Sequence, residues 1–145
     1  MLIIMCGIYI TNLDLNKDTV LNKINKIKFR GPDNTGFSNI DQVIIAHLRL
    51  AIIDLDERSN QPYYYDGLYL TYNGEIYNYK EIRSQLIASG YKFETTSDTE
   101  VILKSYHKWG KKMLDYFNGM FAFSIYDSKQ KLIFSARDRL GVKPF

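Results

Sequence analysis

The 145-residue chain holds one cysteine, two histidines, one tryptophan and three prolines. A lone cysteine excludes a disulfide framework and a four-thiolate zinc site. Two histidines add little for a metal, so no resident metal is expected. No apolar run approaches the roughly 20 residues of a membrane helix. The strongest, MLIIMCGIYI, covers only the first ten residues. No basic segment precedes it and no small-residue cleavage site follows it, which argues against a secretory signal and gives the cytoplasm as the address. No membrane partner is expected. A basic tract is missing too: 19 Lys and Arg stand against 16 Asp and Glu, with Lys111-Lys112 the densest pair. Nucleic acid is therefore not an expected partner. Nine glycines and three prolines are too few for a fibrous or linker-like chain. What is present is globular: 46% hydrophobic, 24% charged and 14% aromatic residues, in a length that suits one domain.

Apolar spacing predicts strands over 7–11, 43–50 and 68–72, with Asn73-Gly74 turning the chain after the last. Val20, Leu21, Ile24 and Ile27 mark one face of a helix over 18–27. The RGPDNTG stretch at 30–36 reads as a loop, where Arg30 and Asp33 hold the chain rather than react. Tyr63-Tyr64-Tyr65 also reads as loop. A helix is expected over 78–89, with Ile82, Leu86 and Ile87 inward and Gly90 as its stop. A short strand follows at 92–95. Another helix begins at Asp98, capped by Ser97 or Asp98, with Val101, Ile102, Tyr106 and Trp109 as its apolar stripe. Strands at 120–126 and 132–136 flank a hairpin signal at 127–131. The order implies an α+β fold with mainly antiparallel sheet.

Three groups of residues could carry chemistry. Cys6 follows Met5, and MCG is a plausible translation start with residues 1–4 an upstream extension. Loss of Met5 would leave a free α-amino group on the cysteine. With a pKa of about 7.7–8, that amine can act as the thiol's own general base. The plain alternative is a small buried packing residue. Second, the Asn73 amide and the Gly74 N–H could face a developing oxyanion, against the plain reading of an Asn-Gly turn. Third, Arg49 could grip a carboxylate in bidentate fashion while Glu75 and Asp98 hold an ammonium. The plain reading there is an ion pair and a helix cap. His47 reads as a hydrogen-bonded strand histidine.

These residues sit in longer motifs: MCGI at 5–8, RGPD at 30–33, AHLRLAIIDL at 46–55, QP at 61–62, YNGEIYNY at 72–79, SDTEVIL at 97–103, GMFAF at 119–123 and RDRLGVKP at 137–144. In this order they resemble the glutaminase domain of glutamine-hydrolysing asparagine synthetases. The resemblance implies a class II amidotransferase with the N-terminal-nucleophile fold, an αββα sandwich of antiparallel sheets between helical layers, incomplete at its C-terminal end. It implies that Cys6 attacks the side-chain amide of L-glutamine and forms a thioester, releasing ammonia and then glutamate. Asn73 and Gly74 match the family's oxyanion hole. Arg49 matches the residue on the α-carboxylate, with Leu50, Ile52 and Ile53 lining the same pocket. Glu75 and Asp98 match the residues on the α-amino group. The domain needs no cofactor of its own. ATP and magnesium serve the family's synthetase domain, which is absent from this stretch and stands as its expected partner; an oligomer is compatible with the sequence. Two alternatives stay open: a non-catalytic glutamine-binding module, and a relative whose nitrogen goes to an acceptor other than aspartate.

Overall fold

Alternation along the strands gives each sheet two faces, and the two faces find different partners. The computed structural model describes residues 5–52 and 54–145. Its first sheet has the order β1 (Gly7–Thr11), β3 (Val43–Arg49), β2 (Asn34–Ile40), antiparallel throughout. Ile44, Ala46 and Leu48 of β3 pack against Val20 and Ile24 of α1 (Lys17–Asn25). Val43 and Ile45, on the other face, meet Tyr126 of the second sheet.

That second sheet runs β4 (Tyr63–Tyr65), β5 (Leu68–Ile76), β6 (Gly119–Asp127), β7 (Leu132–Arg137), again antiparallel. Leu70, Tyr72 and Ile76 of β5 and Phe121, Phe123 and Ile125 of β6 form one apolar cluster. Ile82 and Leu86 of α2 (Tyr79–Ala88) and Val101, Ile102 and Tyr106 of α3 (Asp98–Trp109) close over it. Each such side chain contributes about 1.5–3 kcal/mol through burial. The layers are helix, sheet, sheet, helices, the expected αββα arrangement.

Several local expectations are corrected. Asn73-Gly74 does not turn: β5 continues to Ile76, with Asn73 opposite Ala122 and Gly74 opposite Phe121. The expected loop at 30–36 gives way from Asn34 to the edge strand β2, joined to β3 by Asp41 and Gln42 at positive φ. Tyr63-Tyr64-Tyr65 is strand β4, paired with β5 through an Asp66-Gly67 turn at positive φ. Residues 92–95 form no strand, because the Glu94 and Thr95 amides donate to the Glu100 carboxylate instead (3.0 and 2.8 Å). Ile87 points outward and is 52% exposed. Trp109 does pack against the apolar cluster, as expected, but half-buried and stacked on Tyr116. Ser97, not Asp98, caps α3: its Oγ accepts from Thr99 N at 3.1 Å.

Candidate functional site

Where the two sheets meet α3, residues far apart in the chain line one cavity of about 120 Å³. Cys6 stands just before β1, beside the end of β3, because Gly7 pairs with Leu48. Leu50 N donates to Cys6 Sγ at 3.3 Å, and Arg30 Nε donates to the Cys6 carbonyl at 3.4 Å. Burial pushes the Cys6 thiol above its ordinary pKa, although the Leu50 amide and the Arg49 charge oppose the rise. The sulfur is therefore a protonated thiol at neutral pH and needs a base before it can attack. Histidine is not among the lining residues. His47 lies behind the cavity wall with Nε2 at 3.0 Å from the Tyr72 carbonyl, and burial lowers its pKa to about 4. A neutral ring that donates through Nε2 is the tautomer this contact requires.

Asn73 and Glu75 come from β5, on the face opposite Leu70, Tyr72 and Ile76. Asn73 is 3% exposed, yet its Nδ2 has no hydrogen-bond partner among the described residues. An unpaired buried amide costs about 1–3 kcal/mol, and this one lies at the cavity wall. Gly74 has φ +153°, and a Cβ there would lie 2.2 Å from the Met120 carbonyl oxygen. Only glycine lets β5 come this close to β6 with its N–H at the cavity.

Arg49 is buried and anchored to the following loop. Its Nη1 donates to the Asp56 carbonyl (3.0 Å) and Asn60 Oδ1 (2.7 Å), and its Nη2 donates to the Asp54 carbonyl. These bonds use three of five N–H groups and hold the guanidinium rigid at the cavity wall. Asp33, two residues past Gly31, fixes the same corner by accepting from Ala51 N at 2.8 Å. Arg30 and Asp33 thus hold the loops, as expected, and Arg30 does so on the cysteine itself.

Asp98 opens α3 and is buried. Its Oδ2 accepts from the Tyr72 hydroxyl at 2.7 Å and from Ile76 N at 3.1 Å. Burial raises the Asp98 pKa, and these two bonds pull against that rise. Leu50 and Ile52 also line the cavity, Ile52 from its rim at 74% exposure. Ile53 lies outside the described residues, as do residues 1–4. Every other residue expected at the site is brought into one place.

The cavity also holds residues that sequence reasoning missed. Tyr72, Ser97 and Thr99 flank expected residues, so strand and helix geometry could have found them. Met120 pairs with Glu75 across β5 and β6. Gln61, noted only within a motif, accepts from Tyr72 N through Oε1 at 2.6 Å. Lys143 was likewise noted only within a motif. Asp138 accepts from Phe121 N, Val142 N and Lys143 N, and this folds the 138–143 segment back. Those amides outweigh burial and hold the Asp138 pKa below the usual range. Lys143 Nζ then lies 3.1 Å from Met5 Sδ. A larger hollow of about 620 Å³ near the end of α3 holds Asp66, His107 and Lys129, but these pair with one another. Among the described residues no three His, Cys, Asp or Glu side chains gather to hold a metal, and no helix is long and apolar enough to cross a membrane.

A cysteine, a spare amide donor, a guanidinium and two acidic side chains thus line one small cavity. Comparison with known proteins gives the family: residues 5–145 match the glutamine amidotransferase domain, and the chain belongs to that family. Its sandwich is accordingly the N-terminal-nucleophile type that the sequence implied. Over 97% of its length it is 43% identical to asparagine synthetase [glutamine-hydrolyzing] 3 of Bacillus subtilis. The same share is 43% identical to a putative asparagine synthetase [glutamine-hydrolyzing] 2 of Methanocaldococcus jannaschii. Amidase chry2 of Gibberella zeae is 35% identical over 96% of the chain. The chain spans only 24%, 31% and 23% of these relatives' own lengths.

Proposed function

We propose that this domain hydrolyses L-glutamine and delivers the ammonia to a synthetase domain for asparagine synthesis. The reading rests on one observation above all: Cys6, the unpaired Asn73 amide, Arg49, Glu75 and Asp98 line the same cavity. The names of its asparagine synthetase relatives support the final acceptor. ATP and magnesium act in that partner domain, and the reaction belongs to the cytoplasm.

The glutamine α-carboxylate meets Arg49, and its ammonium meets Asp98 and Glu75. The side-chain amide then faces Cys6. Because burial holds the thiol protonated, the attack requires a base, and the α-amino group of Cys6 supplies it once Met5 is removed. Sulfur adds to the amide carbon while the thiol proton passes to the amine. Asn73 Nδ2–H and the Gly74 N–H receive the oxyanion. Collapse returns the proton to the leaving nitrogen, releases ammonia and leaves a thioester. Water, deprotonated by the same amine, cleaves the thioester to glutamate. Removal of Met5 also frees the Lys143 ammonium from its thioether contact.

The test uses protein that begins at Cys6. A diazo-ketone analogue of glutamine should attach one label, at Cys6, and Cys6→Ala should take none while ammonia release disappears. Arg49→Ala should raise the Michaelis constant about a hundredfold, the range for a lost charged bidentate pair. Labelling that persists in Cys6→Ala would overturn the reading.

A further inference from the structure

Tyr72 stands at a point where the β5 ladder lacks a strand. β4 begins at Tyr63, which pairs with Leu70, so Tyr72 has no residue of β4 beside it. Its backbone is satisfied by side chains instead. Gln61 Oε1 accepts from Tyr72 N at 2.6 Å, and the Tyr72 carbonyl meets His47 Nε2 of the other sheet at 3.0 Å. The ring is 3% exposed, within the apolar cluster under α2 and α3. Main chain and ring are therefore both pinned, and the hydroxyl is aimed at Asp98 Oδ2. Ile76 N donates to the same oxygen, whereas among the described residues Oδ1 has a single long hydrogen bond, from Ser97 Oγ at 3.5 Å.

We propose that Tyr72 is a positioning residue for amine recognition, holding Asp98 by Oδ2 so that Oδ1 is presented to the substrate's ammonium. The inference rests on the glutamine reading above. The hydroxyl also favours the ionised carboxylate by donating to it. Other charged or titratable groups at the cavity are Glu75, Cys6, Arg49 and Lys143. Glu75 disfavours a second negative charge, which makes the phenol's donation matter more. Phenylalanine at 72 keeps the ring in its cluster and removes only this donor.

The experiment compares glutamine with glutaramate, which lacks the α-amino group, in protein beginning at Cys6. Tyr72→Phe should raise the Michaelis constant for glutamine about tenfold or more, the range for a lost hydrogen bond to a charged group. Turnover at saturation should stay within about threefold, and glutaramate should be unaffected, so discrimination between the two falls about tenfold. Loss of the donor raises the Asp98 pKa further, so the acid limb of kcat/KM for glutamine should move to higher pH. A 13C resonance of the Asp98 carboxyl should follow the same shift without substrate. An unchanged discrimination ratio in a folded Tyr72→Phe, or equal losses for both compounds, overturns the proposal. Asp98→Asn separates the two levels: if it leaves discrimination intact, the amine reading itself fails and this inference falls with it.

Discussion

Two Asn-Gly dipeptides, at 73–74 and 118–119, lie close together across β5 and β6, and they behave differently. Asn118 is exposed at the head of β6, where its carbonyl accepts from Tyr77 N at 2.8 Å and its N–H donates to Asn78 Oδ1 at 3.0 Å. Its place is settled by backbone bonds. Asn73 is buried in mid-strand with a side-chain donor left unpaired. Both glycines are there for close approach: a Cβ on Gly119 would lie 2.1 Å from the Glu75 carbonyl, and one on Gly74 2.2 Å from that of Met120. The same two letters thus serve strand packing at both places and chemistry at one. A spare side-chain donor at the cavity wall, not the dipeptide, sets Asn73 apart from Asn118.

The comparison can be broken most severely at Gly74. Gly74→Ala combines overpacking, about 1–3 kcal/mol, with a backbone conformation that side chains resist, a further 1–3 kcal/mol. The melting temperature should fall by about 10 °C, with ammonia release lost; a stable, active variant would refute the close approach. Asn73→Asp keeps the strand but turns a donor into a charge facing the oxyanion. Turnover should fall about a hundred- to a thousandfold while melting changes little. Wild-type turnover there would return Asn73 to a packing role.

A third test concerns the wall behind Asn73. His47 folds with its pKa lowered from 6.5 to about 4, chiefly by burial. Between these values the unfolded chain binds a proton that the folded chain does not, so stability falls as pH drops below 6.5 and levels off below 4. The loss reaches about 3 kcal/mol, and denaturant titrations of His47→Gln should lack it. The smallest effect belongs to Asn118→Ala, within about 0.5 kcal/mol and without change in turnover. A large loss there would erase the contrast between the two dipeptides.

Much of this site was legible because its residues lie on regular elements with strong patterns. The apolar positions of β3 and α3 gave their elements directly, and Arg49 and Asp98 came with them. Asn73-Gly74 misled because a turn signal is local, whereas the continuation of β5 depends on β6, more than 40 residues away. Strands β2 and β4 were missed for the opposite reason. Edge strands carry polar or aromatic residues with little alternation, and their turns at 41–42 and 66–67 are more telling than the strands themselves. Gln61 and Lys143 reach the cavity only through tertiary bonds, one replacing a missing strand and the other drawn in by Asp138. No spacing rule announces either. The cysteine's place at the cavity was readable from its motif, but the burial that keeps its thiol protonated appears only in three dimensions.

The alternation of β5 has a consequence for how errors in this molecule are tolerated. Leu70, Tyr72 and Ile76 face the helices, while Asn73 and Glu75 face the other sheet. A slip of one residue against β6 would exchange the two sets, placing a carboxylate in the apolar cluster and aromatic bulk in the cavity. No slipped form could keep a partial site, since every functional side chain on the strand would be lost together. Correct pairing and competence are therefore inspected by one and the same event. Hydrophobic substitutions at 70 and 76, on the helix-facing side of the strand and outside the cavity lining, should consequently be filtered by selection as strictly as changes at 73 and 75.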